Sequence, residues 1–237
     1  MSKTRTNLEE QVRTYLDEAS QDDWTDVEVR REINAKYLEL YTAIIEVYED
    51  YYSTKTTTAS VADQQEYTLP SDFYKMRRVE IDYAPDNSQS VPSRAIRVSM
   101  DDVHRDLGNS GSSLTVHARP AYYIRGDFLG FIPVPTKAGS TAITIWYIKT
   151  VSELSSSSSS IDIPFADRYA QIISLGAAAT LLRKGQQEEV VASRYLLEYE
   201  DNIKKMKQEL EDRIADGGRG VTDLQGEHVD FVDGLAF

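Results

Sequence analysis

Residues 161–214 constrain the fold of this chain more than any other stretch. Apolar residues fall at Val191, Tyr195, Tyr199, Ile203, Met206, Leu210 and Ile214, in steps of four and three. That is the period of one helix face. Upstream, Phe165, Tyr169, Ile172, Ile173 and residues 180–182 repeat the pattern, and Gly176 with Ala177, Ala178 and Ala179 leaves room for a second helix to come close. Asp162-Ile163-Pro164 marks the start of this earlier helix, because proline has no N–H to leave unpaired in an opening turn. Gly185 reads as its C-terminal cap, and Gln186-Gln187 opens the next helix. Glu200 with Lys204 and Asp201 with Lys205 stand acid before base on the solvated face. The stretch predicts a long antiparallel helical hairpin, which is a scaffold and not a chemical site.

Two more helices are expected at the N-terminus. Thr6 and Glu9 have capping-box spacing, followed by Leu8, Val12, Tyr15, Leu16 and Ala19. Thr25 and Glu28 form a second box. The helix after it carries one stripe at Ile33, Tyr37, Leu40, Ile44, Val47 and Tyr51, and another at Leu38, Tyr41, Ile45, Tyr48 and Tyr52. Two stripes predict neighbours on more than one side. The expected helices span residues 6–20, 25–52, 164–184 and 188–214.

Between them the period changes to two. Val79, Ile81 and Tyr83 alternate with Glu80 and Asp82, and Ile96 and Val98 flank Arg97. Gly126-Asp127 joins residues 122–125 to 128–132 as a tight hairpin. Ile143, Ile145 and Tyr147 lie on one face of a strand and Trp146 and Ile148 on the other, the pattern of a central or interface strand. Ser99-Met100-Asp101-Asp102 reads as the cap of a one- or two-turn helix reaching Leu107. The six serines at 155–160 read as a flexible spacer. The fold class expected is α+β: an antiparallel helical bundle from residues 1–52 and 162–216, an inserted β region at 53–161, and an extended C-terminal arm at 217–237. Gly217, Gly218 and Gly220 form the hinge of that arm. Phe231, Leu235 and Phe237 are its candidate docking anchors, with a tail folded back on its own domain as the other reading. Candidate subunit contacts are Tyr41, Tyr48, Trp146 and Tyr147.

Composition narrows the function. A net charge of −13 argues against gripping nucleic acid phosphates. With no cysteine, disulfides and thiolate sites are excluded. His104, His117 and His228 are scattered and have no second ligand at metal spacing. No phosphate loop, dinucleotide loop or nucleophile elbow is present. No run reaches the roughly 20 apolar residues of a membrane helix. Catalytic, cofactor and metal residues are therefore expected to be none. Tyrosine is the unusual count, 15 of 237, and tyrosine suits interfaces as well as core rims.

The order of segments resembles the head-to-tail adaptor (connector) proteins of tailed bacteriophages. The resemblance is carried by Tyr67-x-Leu69-Pro70-x-Asp72-Phe73, the glycine hairpin with Leu129-Gly130-Phe131-Ile132-Pro133-x-Pro135, the strand from Ile143 to Tyr147, the Ile163-Pro164 helix start and the closing helical hairpin. It covers about residues 8–213 and implies a helical bundle with a β insertion and no catalytic residues. It also implies a dodecameric ring under the portal protein in the virion neck, contacting tail or nozzle proteins. DNA would pass through without specific binding, and acidic walls suit that passage. Two other readings stay open: a different tail or baseplate structural protein, and a cell-wall hydrolase using surface carboxylates.

Overall fold

Contacts divide the chain into a helical unit, residues 1–51 and 151–237, and a β unit, residues 52–150. The computed structural model describes residues 4–17, 23–85, 91–99, 120–185 and 188–230, with side chains through Ile214. Among these residues the fold is mixed α+β, with four α-helices and two four-stranded sheets.

In the helical unit, α1 (Arg5–Tyr15), α2 (Asp26–Val47) and α4 (Glu189–Asp230) each pack on α3 (Ala166–Lys184). The small residues explain why α3 sits among three neighbours. Gly176, Ala177, Ala178 and Ala179 are all buried, and a Cβ added at Gly176 would lie 2.7 Å from Cε2 of Tyr199 and 3.1 Å from Cδ of Lys36. The Tyr199 ring therefore lies against bare backbone of α3, with the Lys36 ammonium of α2 4.9 Å from its centroid. Ser174, fully buried on α3, donates to Gln11 Oε1 of α1 at 3.1 Å and is thereby satisfied. On α4, Tyr199, Met206 and Leu210 of the expected stripe are buried, while Ile214 is exposed. Asp201 and Lys205 pair at 2.6 Å.

Several local expectations need correction. The box that opens α1 is Thr4 with Asn7, and Glu9 instead holds Arg5 and Arg30, each at 2.9 Å. The Thr25–Glu28 box opens α2 as expected, but α2 ends at Val47 and continues as a 3-10 turn, Glu49–Tyr52. The helix α3 starts at Ala166, after the buried Ile161 and Ile163 and a turn at Pro164 and Phe165, the latter at φ 53°. Gly185 does end α3, in right-handed geometry.

The serine run is not a free spacer. The first N–H groups of a helix lack intrahelical partners. Here Ser159 and Ser157 supply carbonyls to Arg5 N–H at 2.9 Å and Thr6 N–H at 3.4 Å. The Arg5 guanidinium donates to the Leu154 and Ser155 carbonyls at 3.1 and 2.6 Å. Serine suits this strap because it lets the backbone turn back on itself, as in the 3.0 Å bond from Ser159 N–H to the Ser156 carbonyl. Residues 217–230 are helical as well, where an extended arm was expected. A growing helix adds residues without a new nucleation step. Glycine costs about 1 kcal/mol per helical position relative to alanine but does not forbid helical angles. The anchors Phe231, Leu235 and Phe237, and the possible helix at 99–107 apart from its first residue, Ser99, lie outside the described residues.

In the β unit one sheet has the order β1 (Ser53–Ser60), β8 (Gly139–Lys149), β3 (Phe73–Ile81), β4 (Ser93–Arg94), and the other β2 (Glu66–Thr68), β7 (Phe128–Ile132), β6 (Ala121–Arg125), β5 (Ile96–Arg97). The strand with two apolar faces, β8, is central, paired with β1 and β3. One core joins the sheets: Val79, Ile81, Ile143, Ile145 and Tyr147 from the first, Tyr67, Tyr122, Leu129 and Phe131 from the second. Gly126 turns the β6–β7 hairpin at φ 57°, a conformation open to glycine.

Across the hairpin, Tyr123 pairs with Gly130, and Gly130 with Glu66 on the far side. A Cβ on Gly130 would sit 2.1 Å from Cζ of Tyr123, so the ring crosses the bare glycine and its hydroxyl donates to Glu66 Oε1 at 3.0 Å. Arg125 Nε donates to the same oxygen at 3.0 Å. Bonding from Arg125, and then from Tyr123, holds the Glu66 carboxyl below its ordinary range.

Three outcomes follow. Gly176→Ala should gain about 1 kcal/mol of helix propensity and lose about 1–3 kcal/mol to overpacking against Tyr199. Urea unfolding should therefore show net destabilisation, and the same change in a Tyr199→Leu background should be neutral or stabilising. Gly130→Val should lower the melting temperature markedly more than Gly126→Asn, since only the former displaces a packed ring. For Glu66, a depressed folded-state pKa stabilises the protein above the unfolded value of about 4.3. That stabilisation is lost as pH falls through the folded pKa, so Glu66→Gln should lose less stability than the parent between about pH 5 and pH 3.

Candidate functional site

The feature of the β unit most suited to a partner lies at the open edge of the two sheets. The edge strands β4 and β5 are two residues each, and between them the chain crosses from one sheet to the other at Ala95. Ala95 N–H donates to the Val79 carbonyl in the first sheet, and Ile96 N–H to the Pro120 carbonyl beside the second. This crossing places Arg94 at one edge and Arg97 at the other. With Arg77 and Arg78 of β3 they line a hollow of about 260 Å³, completed by Ala95, Ile96 and Tyr122.

Four guanidiniums around one hollow repel each other unless anions are near. Arg78 is paired with Glu80. Arg94 and Arg97 have no carboxylate partner among the described residues. Burial raises the pKa of Tyr122, and the charges of Arg97 and Arg94 oppose that rise. Ala95 is buried, whereas Ile96 is 52% exposed, an apolar side chain left uncovered among the arginines. The helical unit has a second hollow, lined by Lys36, Ala179, Thr180, Arg183, Lys184 and Leu196, but its lysines are engaged, Lys36 with Glu39 at 2.7 Å and Lys184 with Glu32.

The residues expected to make contacts are placed differently from one another. Tyr41 and Tyr147 are buried, 8% and 5% exposed, and so present little surface to a partner. Tyr147 donates to Asp72 Oδ1 at 2.8 Å, and burial together with that carboxylate pushes its hydroxyl up to about 12. Tyr48 and Trp146 are half-buried. The Trp146 ring stands 5.3 Å from the Lys55 ammonium, and its enclosed Nε1 has no hydrogen-bond partner among the described residues.

Much of the tyrosine excess is used internally. Tyr37 accepts from Asp162 N–H at 3.0 Å, Tyr67 donates to the Gln64 carbonyl at 3.0 Å, and Tyr83 donates to the Pro133 carbonyl at 2.6 Å. The turn motifs are structural too: Asp72 receives both Tyr147 and, through its carbonyl, Thr150 N–H at 2.7 Å. His104 and His117 lie outside the described residues. Among those residues no group of acidic, histidine or cysteine side chains is placed to hold a metal, and no helix is long and apolar enough to cross a membrane.

Sequence reasoning missed the arginine hollow because it used whole-chain charge. Divided between units, residues 52–150 hold 11 basic and 10 acidic residues, a net of +1. The helical unit holds 15 basic against 29 acidic residues, a net of −14. The local signal was Arg77-Arg78 followed by Arg94-x-x-Arg97 inside an acidic chain.

No curated protein matches the chain. Residues 3–222 match the family described as SU10 adaptor protein. That span includes both units, from the Thr4 cap of α1 to the far part of α4. The chain therefore belongs to the SU10 adaptor protein family, a family of bacteriophage head-to-tail adaptor proteins.

Proposed function

We propose that this protein is a structural subunit of the virion neck, a head-to-tail adaptor that assembles as a ring, dodecameric by analogy with such adaptors, between the portal protein and the tail or nozzle proteins. The observation that carries this reading is the family match over residues 3–222. In this reading α1 to α4 act as one antiparallel bundle forming the body of each subunit, and the β unit is a separate contact module. DNA passes through the ring without specific binding, since a net charge of −13 disfavours adhesion to phosphates. The subunit carries no catalytic residue or cofactor and works by fitting its neighbours.

Subunit contacts in this reading use the surface around Tyr48 and Trp146, which are only partly covered within the chain. Residues 231–237 follow α4 in the sequence, and their Phe231, Leu235 and Phe237 dock on the portal or on a neighbouring subunit. Each arm binds weakly because ordering a backbone residue costs roughly 1–2 kcal/mol. Burying each large apolar side chain returns about 1.5–3 kcal/mol. A closed ring multiplies such weak contacts through effective concentration.

The test is co-sedimentation of the full chain with the portal protein of its phage, beside a variant lacking residues 231–237. The full chain is expected to form a defined, multi-copy complex with the portal, and the truncated one to keep its fold but attach less. Failure of the full chain to bind the portal at any salt concentration would overturn the adaptor reading. Equal attachment by both would overturn the docking role of the C-terminal anchors.

A further inference from the structure

We infer that the hollow lined by Arg77, Arg78, Arg94 and Arg97 receives carboxylates from the acidic α4 surface of a second copy of this chain. The inference rests on the ring reading and gives it a specific contact. Guanidinium groups bind carboxylates through paired N–H donors, and arginine and tyrosine around an uncovered apolar residue is the composition of a protein contact. Ile96, 52% exposed, supplies the apolar centre and Tyr122 the aromatic wall. Arg94 and Arg97, without carboxylate partners among the described residues, supply the charge.

A nucleic acid is the poorer occupant. Phosphate backbones are followed by a stripe of cations, whereas these four arginines surround one hollow of about 260 Å³ in a chain of net charge −13. A second copy fits because the same chain carries the complement, 29 acidic residues on a unit of net charge −14. On α4, Glu198 and Asp212 are exposed and lie fourteen residues apart, and so within one face. The basic edge of one subunit meeting the acidic helix of the next makes a head-to-tail contact, the kind that closes into rings. Short charged edge strands also prevent unwanted strand pairing. If that were their whole role, the arginines would touch no neighbouring copy.

The experiment uses full-length chains carrying Arg94→Lys and Arg97→Lys, which keep the charge and add an amine. Light and heavy-isotope chains are mixed, bound to the portal protein, and treated with a carbodiimide, which joins touching amines and carboxylates. Melting temperature confirms that the variant folds, and complex formation reports the ring reading separately. The expected result is light–heavy peptide pairs joining position 94 or 97 to residues 189–230, lost at high salt. Links confined to one chain, including links to residues 86–90 or 100–119, would overturn the inference. So would links to the portal alone, or no link in a complex that has formed. A duplex DNA fragment retained by the parent chain and lost in Arg94→Gln/Arg97→Gln would reassign the hollow to phosphate.

Discussion

The contact on which the helical unit depends is the Tyr199 ring against Gly176. A side chain at Gly176 would meet that ring at 2.7 Å, so α3 and α4 approach as closely as they do only because α3 presents backbone there. The same ring faces the Lys36 ammonium of α2, so one aromatic group of α4 touches two other helices. Burial raises the Tyr199 hydroxyl well above its ordinary pKa, so the phenol is neutral beside the Lys36 ammonium. Around it, α3 is apolar or small nearly all round, the pattern of a helix enclosed by neighbours.

The β unit is joined by a different device. Its sheets share an apolar core, but tyrosine hydroxyls fix the joints: Tyr147 to Asp72, Tyr83 to the Pro133 carbonyl, Tyr123 to Glu66 across Gly130. In all three the partners are fifty or more residues apart in sequence. A tyrosine can span that gap because its ring packs in the core while its hydroxyl reaches a polar group. This chemistry ties distant segments of the sheets together, which suits a subunit of an adaptor protein family.

What was legible in the sequence followed from periodicity. The stripe Tyr199–Met206–Leu210, the Thr25–Glu28 cap, the Gly126 hairpin and the central strand through Ile145 were all written in local spacing. What was not legible depended on partners distant in sequence. Thr4, not Thr6, caps α1, because the serine run arrives from residue 155 onward to complete that end. Tyr41 and Tyr147, expected at subunit contacts, are buried by segments of their own chain, which local spacing does not reveal. The arginine hollow was hidden because Arg77 and Arg97 meet only through a strand crossing at Ala95, and a net charge of −13 concealed a unit of net charge +1 in the same chain as one of −14.

That division gives the adaptor reading its physical content. In the proposed ring, the acidic helical unit is the part that disfavours adhesion to DNA, and the arginine-edged β unit is the proposed complementary surface for assembly. The most direct measurement is an electron cryomicroscopy reconstruction of the neck of the intact phage particle. The account expects a closed ring of this chain seated on the portal, with density for both units and an open central passage. A reconstruction with this chain at the tail tip, or present as isolated copies that form no ring, would contradict it.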